Sequence, residues 1–442
     1  MSVELAFLLG MAILLFLALR VKANAFVALM AAALAIGLFS GMSPSDVISS
    51  IMSGFASTTK SIGVVIIFGI ILGNLLESSR ATTRLAYDMV GMVGEKNSGL
   101  AMAITGYLVS IPVFSDTGFI ILAPLVKAIS KKAKKPSAIL AVALSAGLLA
   151  THVYVAPTPG PLAAAGMLGI DIGRSILYGG FAAILMTLAG WLFAELYFRN
   201  KPASFYTYQE GHEEQPEAKI DDNDLPESLV ALIPLLIPIL LIVLKTTCDM
   251  LLPEESPLLP ILGFVGNANV ALAIGALLAM AMLGKKIGKK VLSKITDMAL
   301  REAGPIVFIT AAGGALGEIL KSSGSGDSLA QLVINTGMPF ILIPFAISAL
   351  LVIAQGSGTV AVVTAATLSA PIGMQLGIDP ILIFLSSGAG ARAFMHVNCS
   401  YFWVFTNCMG YDMKTGLKTL SLGNIFMSLG GLLATFIVSF WL

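Results

Sequence analysis

A single acidic residue, Asp116, lies in an apolar run from Leu100 to Val126 that carries no other charge. An ionised carboxylate at the centre of a membrane helix costs about 3 kcal/mol, so the side chain must face protein, water or a ligand. Pro112 and Gly118 flank it, and proline removes a backbone donor while glycine permits a turn. We therefore expect the helix to break beside Asp116 and to offer free backbone amides, as transporter binding sites do.

Three further polar or proline-rich stretches interrupt apolar runs, at Thr151–Pro161, Gln355–Thr359 and Met395–Ser400. Hydroxyl and amide side chains, together with the free N–H groups of helix N-termini, suit a carboxylate without needing a buried cation. We interpret these stretches as a site for a small organic anion. A glycine-rich stretch also occurs as a plain turn, so Gln355–Thr359 alone is weak evidence. The expected ligand contacts are Ser115, Thr117, Gly118, Thr151, Thr158, Gly160, Gln355, Gly356, Ser357, Thr359 and Asn398.

Two of the three histidines, His152 and His396, occupy equivalent positions of an internal repeat, while His212 lies in a polar segment. A histidine titrates near physiological pH and can carry a proton, so Asp116, His152 and His396 are the candidate proton-coupling groups. The alternatives are structural: a neutral histidine that hydrogen-bonds a broken helix, and an acid that caps the following half-helix. Sodium is the alternative coupling ion, because unwound backbone carbonyls can hold it.

Arg392 precedes His396 in an otherwise apolar run. Three roles are open to it, namely neutralising a substrate, pairing with an acid, or extending to the membrane interface. The sequence holds no metal-ligand triad, no nucleophile with a base and no nucleotide loop, and its three cysteines have neither metal nor disulfide spacing. We expect a transporter and not an enzyme, with no cofactor apart from the coupling ion.

The composition predicts an all-α polytopic membrane protein. Hydrophobic residues make up 57% of the 442 residues and charged residues 12%, against about 25% charged residues in soluble domains. Apolar runs long enough to span a bilayer core of about 30 Å recur from Val3 to the last residue. The partner of this surface is the lipid bilayer, and a net charge of +1 gives no reason to expect a nucleic-acid partner.

The apolar runs predict two halves with the same order of elements. In the first half we expect spans near residues 3–19, 23–41 and 61–77, a re-entrant hairpin over 98–130, a helix over 136–150 that cannot continue through 151–161, and a span over 172–198. In the second half we expect spans near 229–251, 258–283 and 303–320, a hairpin near 338–372, a broken helix near 380–408 and a last span to Leu442.

A register of 244 residues supports an ancient duplication. Ten residues, among them Gly69, Gly73, Pro136 and His152, recur as identical residues 244 positions later. We predict two transmembrane repeats, 1–198 and 228–442, joined by a polar cytoplasmic linker at 199–227. Each repeat has about five crossings, and an odd number inverts the second copy. Both termini are then outside, because basic clusters such as Lys131–Lys135 fall in cytoplasmic loops.

Several motifs of this chain resemble those of the gluconate permease family. They are Gly54–Thr58, Pro112–Phe119, Thr151–His152 followed by Pro157–Pro161, Ala354–Ser357, and Phe394–Asn398 with Phe402–Trp403. The resemblance spans nearly the whole chain. It implies proton-coupled uptake of gluconate and related sugar or hydroxy acids across the bacterial inner membrane. It also implies the inverted repeats, two re-entrant hairpins and elevator-type motion of the ion transporter superfamily, and a homodimer.

The chain departs from that family's pattern at the proposed site. Ser115 stands where the family usually has phenylalanine before the aspartate, Thr158 where it has histidine between two prolines, and Cys399 where it has aspartate. Replacing an acid by cysteine removes a strong hydrogen-bond acceptor, and a polyol acid wants many such partners. A smaller hydroxy acid or a D-amino acid such as D-serine is therefore an alternative substrate, as is a carboxylate carried with sodium.

Overall fold

The structure is a computed structural model that describes residues 2–21, 23–93, 97–111, 113–208, 225–253, 255–325 and 339–442. The first half comprises α1 (Val3–Leu15), α2 (Ala25–Phe39), α3 (Pro44–Ser78), α4 (Ala81–Val93), α5 (Ser98–Val109), α6 (Ser115–Ala133), α7 (Ser137–Tyr154), α8 (Pro159–Leu168) and α9 (Ile172–Phe198). The second half comprises α10 (Ser228–Leu251), α11 (Leu258–Val265), α12 (Ala268–Ile287), α13 (Lys289–Ser322), α14 (Leu342–Gln355), α15 (Gly358–Gln375), α16 (Pro380–Gly390), α17 (Ser400–Met409), α18 (Met413–Gly416) and α19 (Leu422–Val438).

The all-helical prediction is confirmed, since no strand occurs in the described ranges beyond one isolated bridge between Tyr208 and Tyr411. Six helical segments are long and apolar enough to cross a membrane, and a seventh results if the bent pair α11–α12 counts as one. Residues 209–224 of the predicted linker, with His212, lie outside the described residues. The described start of the linker contacts the second half, where Thr207 N–H donates to Thr415 Oγ1 at 2.9 Å.

Both predicted hairpin positions contain a helix, a short break and a second helix. The first break lies between Val109 and Ser115, where Ser110 Oγ donates to the Val113 carbonyl at 3.1 Å; Pro112 itself lies outside the described residues. The second break is Gly356–Ser357. Gly356 has φ +75°, a backbone conformation that glycine adopts without strain. The re-entrant path of these pairs in a bilayer stays a prediction.

The expected loss of helix over Thr151–Pro161 is wrong at both ends. Helix α7 continues to Tyr154 and α8 begins at Pro159, so the break is confined to residues 155–158. Pro159 and Pro161 lie in the first turn of α8, where a missing N–H has no partner inside the helix to lose. The prolines therefore begin a helix here.

Two other predicted spans have different limits. The span expected near 258–283 is two helices that meet at 61°, because the Asn267 side chain accepts from Asn269 N–H and starts α12 anew. The helix expected from residue 61 begins at Pro44, capped by the Ser43 hydroxyl, which accepts from Asp46 N–H at 3.2 Å. The polar residues 54–59 thus lie within α3 and not in a lead-in before it.

Helices α3 and α13 cross at close range, with glycine on both sides. A Cβ on Gly54 would lie 2.3 Å from the Gly314 carbonyl oxygen, so only glycine permits this approach. Farther along, Asn74 Nδ2 donates to Glu302 Oε2 at 3.1 Å. In the 244-residue register Asn74 corresponds to Glu318 and Glu302 to Thr58, and Thr58 and Glu318 line one cavity. Such reciprocal neighbours are what a two-fold relation between repeats produces.

Helix α7 is the most enclosed element, since none of the residues from Ala138 to Tyr154 is exposed. It packs on α5 with backbones in contact: a Cβ on Gly147 would lie 2.2 Å from the Ala103 carbonyl oxygen. At its C-terminal end the Tyr154 hydroxyl donates to the Leu385 carbonyl of α16 at 2.8 Å. The helix that carries His152 is therefore fixed to both halves.

Candidate functional site

The N-termini of four half-helices meet in two pairs. Gly160, in the first turn of α8, faces Thr359 in the first turn of α15, because a Cβ at Gly160 would lie 3.6 Å from Thr359 Cγ2. Asp116, in the first turn of α6, has the Ser400 side chain of α17 beside its carboxyl group. Each N-terminus carries a partial positive charge, and in α8 the N–H group of Gly160 lies between two prolines that have none. The predicted convergence of four irregular stretches is thus present as two helix-end pairs.

Arg392 lies between these pairs. It follows α16 and is only 3% exposed. A Cβ on Gly358 would lie 3.2 Å from its Cζ and both terminal nitrogens, so the guanidinium rests against the first residue of α15. Asp116, Cys399 and Tyr401 lie within electrostatic range of it, as does His152.

The guanidinium has no acid in contact. Within the described ranges no carboxylate oxygen lies within 4.0 Å of it. Its Nε has no hydrogen-bond partner there, and the same is true of Asp116 Oδ1 and His152 Nδ1. Three elements therefore bring three buried polar atoms without partners to one place. Burying an unpaired cation is unfavourable, and placing it beside the N-terminus of a helix adds repulsion, because that helix end is itself positive. An anion bound between the cation and the helix end reduces both costs.

His396 and Asn398 contact the second hairpin, which is formed by α14 and α15. His396 Nε2 donates to the Ile353 carbonyl at 2.9 Å, and Asn398 Nδ2 donates to the same carbonyl at 2.7 Å. The tip at Gly356 rests on Asn398, since a Cβ there would lie 2.2 Å from the Asn398 carbonyl oxygen. Ser357 caps α15 by accepting from Val360 N–H at 3.4 Å. Of the two predicted coupling histidines, His396 is therefore committed to a backbone contact while His152 is not.

Both threonines of the first broken helix donate to backbone carbonyls. Thr151 Oγ1 donates to Tyr107 at 2.9 Å, which joins α7 to α5. Thr158 Oγ1 donates to Val155 at 2.6 Å and to His152 at 3.1 Å, which closes the turn before α8. Their oxygens keep lone pairs but their protons are used. These two hydroxyls hold the shape of the site.

The remaining predicted contacts differ in exposure. Ser115 is buried, whereas Thr117, Gln355 and Thr359 are partly exposed. Gly118 faces away from the helix ends, because a Cβ there would lie 2.8 Å from Leu148 Cδ2 on α7. Around the site, the His152 ring packs on Phe114 at a centroid distance of 5.9 Å, and the Tyr401 hydroxyl donates to Ser145 Oγ at 2.9 Å.

A cavity of about 310 Å³ lies elsewhere, between α3, α8, α13 and α15. Thr58, Glu318, Lys321 and Thr367 are among its lining residues, and none of the predicted contacts is. Its walls include side chains of opposite charge at Glu318 and Lys321. We place the candidate site at Arg392 because the buried charge and the helix ends are there.

Arg392 is the residue to which the sequence assigned no single role. A signal for it exists in the sequence, since no other lysine or arginine occurs between Lys321 and Lys414. Its placement against Gly358 depends on the packing of α15 on α16 and cannot be read from local pattern. In the 244-residue register its counterpart is Leu148, so the repeats differ in charge at this point.

Comparisons of the sequence with known proteins agree on one family. The family model described as GntP family permease matches residues 3–441. An "Uncharacterized permease" of Haemophilus influenzae is 38% identical over 440 residues, which are 96% of this chain and 90% of that protein. A gluconate permease of Pseudomonas aeruginosa is 33% identical over 428 residues, 95% and 94% of the two chains. The fold is similar to that of a solved structure, the Alcanivorax borkumensis YdaH transporter, which is described as having an unusual topology. The match covers 89% of this chain and 88% of the transporter, with a TM-score of 0.65 and 15% sequence identity.

Proposed function

This chain belongs to the GntP permease family, and on that premise we propose that it is a secondary active transporter that imports a small organic anion, a sugar acid or hydroxy acid, together with protons. The site for the anion is the space between Arg392 and the N-termini of α8, α15, α6 and α17. Transport of gluconate by relatives supports the substrate class, and the many apolar helices support a multi-pass location in the bacterial inner membrane.

The observation that carries this proposal is the burial of Arg392 without a contacting acid in the described ranges. A guanidinium offers a planar set of donors that matches a carboxylate through two parallel hydrogen bonds. The N–H groups at the start of α15 point toward the same place. The hydroxyls of Ser115, Thr359 and Ser400 then lie at the edge of the site, where they suit the hydroxyl groups of a sugar or hydroxy acid.

Uptake into proteoliposomes tests the proposal. Purified protein is reconstituted and a pH gradient, acidic outside, is imposed in the presence of labelled gluconate, D-glycerate or D-serine. Accumulation of a hydroxy acid above the external concentration, abolished by a protonophore, is the expected result. Replacing sodium by choline separates the sodium-coupled alternative, which predicts accumulation only with sodium. No accumulation of any acid under either condition contradicts the proposed function.

A D-amino acid is the second candidate, and the charges of the site favour it. Arg392 and Asp116 are of opposite sign and lie in electrostatic range, and no ion pair joins these two described side chains. A zwitterion can place its carboxylate at Arg392 and its ammonium group at Asp116. Uptake of D-serine, with no uptake of gluconate or D-glycerate, is the outcome that this alternative predicts.

A further inference from the structure

We propose that Arg392 and Asp116 act as one charge-balanced unit, in which each imported monoanion binds Arg392 while one proton binds Asp116. The inference rests on the proposed function and deepens it, because it names the acceptor of the coupling proton and fixes the ratio at one proton per anion. It follows from which charges the site holds and from how deeply they are enclosed.

The first step concerns the site without substrate. Arg392 is 3% exposed and rests against Gly358, while the Asp116 carboxyl lies within electrostatic range. One positive and one negative charge then lie within electrostatic range of each other, and their sum is zero. Their separation leaves the guanidinium donors uncommitted, since within the described ranges no carboxylate oxygen lies within 4.0 Å of them.

The second step concerns the site with substrate. A carboxylate bound at Arg392 brings a second negative charge toward the same guanidinium, and the sum becomes minus one. Two carboxylates near one site disfavour simultaneous ionisation, because like charges repel strongly where water is excluded. A proton on Asp116 restores a sum of zero. Binding of the anion and of the proton therefore favour each other, which is the thermodynamic requirement for coupled transport.

The third step concerns the other ionisable groups. Cys399 and Tyr401 face Asp116 from the start of α17, and His152 faces Arg392 from α7. The described side chains of α4 and α5, which also pack on α6, add no charge that acts on the Asp116 carboxyl. A thiol and a phenol are neutral at physiological pH. Of the two candidate histidines, His152 is the competing proton acceptor near Arg392, because His396 Nε2 is bound to the Ile353 carbonyl.

Proteoliposome assays with labelled gluconate and D-glycerate test the inference. One proton per monoanion moves no net charge, so wild-type uptake should respond to an imposed pH gradient and not to a potassium-diffusion potential set with valinomycin. One pH unit should give about tenfold accumulation. Uptake driven or opposed by the potential overturns the one-to-one ratio while the proposed function stands. Uptake of neither acid overturns both.

Substitution of the acceptor gives the second arm. Asp116→Asn resembles a permanently protonated carboxyl, so gluconate counterflow should persist while accumulation in a pH gradient falls from about tenfold to about onefold. Its transport should now carry one negative charge and respond to the potential. Asp46→Asn, at the exposed start of α3, is the matched control and should behave as wild type. If the Asp116→Asn protein still accumulates gluconate in a pH gradient, the inference is overturned. It is also overturned if His152→Gln loses this accumulation and Asp116→Asn does not.

Discussion

At the scale of single residues, the candidate site depends on one buried cation. Arg392 rests against Gly358 and has Asp116, Cys399, Tyr401 and His152 in electrostatic range. Cys399 lies within electrostatic range of Arg392, and a thiol is neutral at physiological pH. A neutral side chain at 399 leaves the guanidinium available for a substrate carboxylate.

Substitutions at Arg392 should weaken substrate binding, and the loss should grow as first the paired hydrogen bonds and then the positive charge are removed. Charge-assisted hydrogen bonds contribute about 1.5–3 kcal/mol, so Arg392→Gln should raise the half-saturating substrate concentration about 10- to 100-fold. Arg392→Lys keeps the charge but loses the two-pronged contact, and should lie between glutamine and wild type. The measurement is the concentration dependence of uptake. Arg174→Gln, which breaks a 3.2 Å pair with Asp379 at the start of α16, is the control; an equal effect there would contradict a special role for Arg392.

At the scale of elements, two breaks in helices place the helix ends that form the site. The second hairpin is held by the Ile353 carbonyl, which accepts from both His396 and Asn398, and its tip rests on the Asn398 backbone. The first broken helix is closed by Thr158. In both places a side chain donates to a backbone carbonyl near a helix break. These hydrogen bonds to the backbone hold the shape of the site.

Gly356 should be required because a side chain there would collide with Asn398, and a comparison with Gly377 separates this collision from the cost of the backbone conformation. An alanine there faces a left-handed conformation, which costs about 1–2 kcal/mol, and its Cβ would lie 2.2 Å from the Asn398 carbonyl oxygen. Gly377 has φ +66° with nothing within 4 Å of a Cβ, so Gly377→Ala carries the first cost alone. We expect Gly356→Ala to lose most uptake and Gly377→Ala to retain it, at similar expression. Equal loss in both would show that the tip contact is unimportant.

Asp171 should stabilise the junction between the halves in a pH-dependent way. Burial raises the pKa of its carboxyl, but hydrogen bonds from Thr246, Lys245 and Arg174 N–H outweigh burial and hold the pKa below its usual value. A lowered pKa means that the stabilisation is present above about pH 4 and is lost as pH falls through the lowered value. Asp171→Asn should therefore lower the thermal midpoint in detergent at pH 7, with a difference that shrinks toward pH 3. A constant difference across this range would contradict the mechanism.

At the scale of the whole molecule, each half contains a helix pair with a short break, near Asp116 or at Gly356, followed by a second broken helix. The sequence predicted the breaks near Asp116 and Gly356 because proline and glycine act locally on the backbone. It did not predict that α7 would run to Tyr154, that Gly266–Asn267 would bend a span by 61°, or where Arg392 would lie. Those features depend on packing between distant helices, such as the Tyr154 hydroxyl on Leu385.

The inverted arrangement predicted from the sequence can be tested by the sidedness of the termini. If both termini are outside, single cysteines at Ser2 and Leu442 should react with a membrane-impermeant maleimide in intact cells, and one at Lys132 should react only after lysis. Cys248, Cys399 and Cys408 must first be replaced to remove background. Labelling of Ser2 and Leu442 from opposite sides would exclude an even total number of crossings and with it the five-plus-five arrangement. The elevator motion and the homodimer remain predictions.

The lone guanidinium also limits what kind of molecule the protein can carry. Arg392 is 3% exposed beside the N-terminus of α15, and the other side chains assigned to the site edge, Ser115, Thr359 and Ser400, are neutral hydroxyls. A sugar acid with a carboxylate at one end fits this polarity, whereas a diacid of the same length leaves its second charge beside apolar and hydroxyl groups, where burial is costly. We expect glucarate to compete with labelled gluconate far more weakly than unlabelled gluconate does. Equal competition by glucarate would mean that a second cationic side chain lies at the far end of the site. The net charge of the anions that bind therefore indicates how many positive charges the site contains.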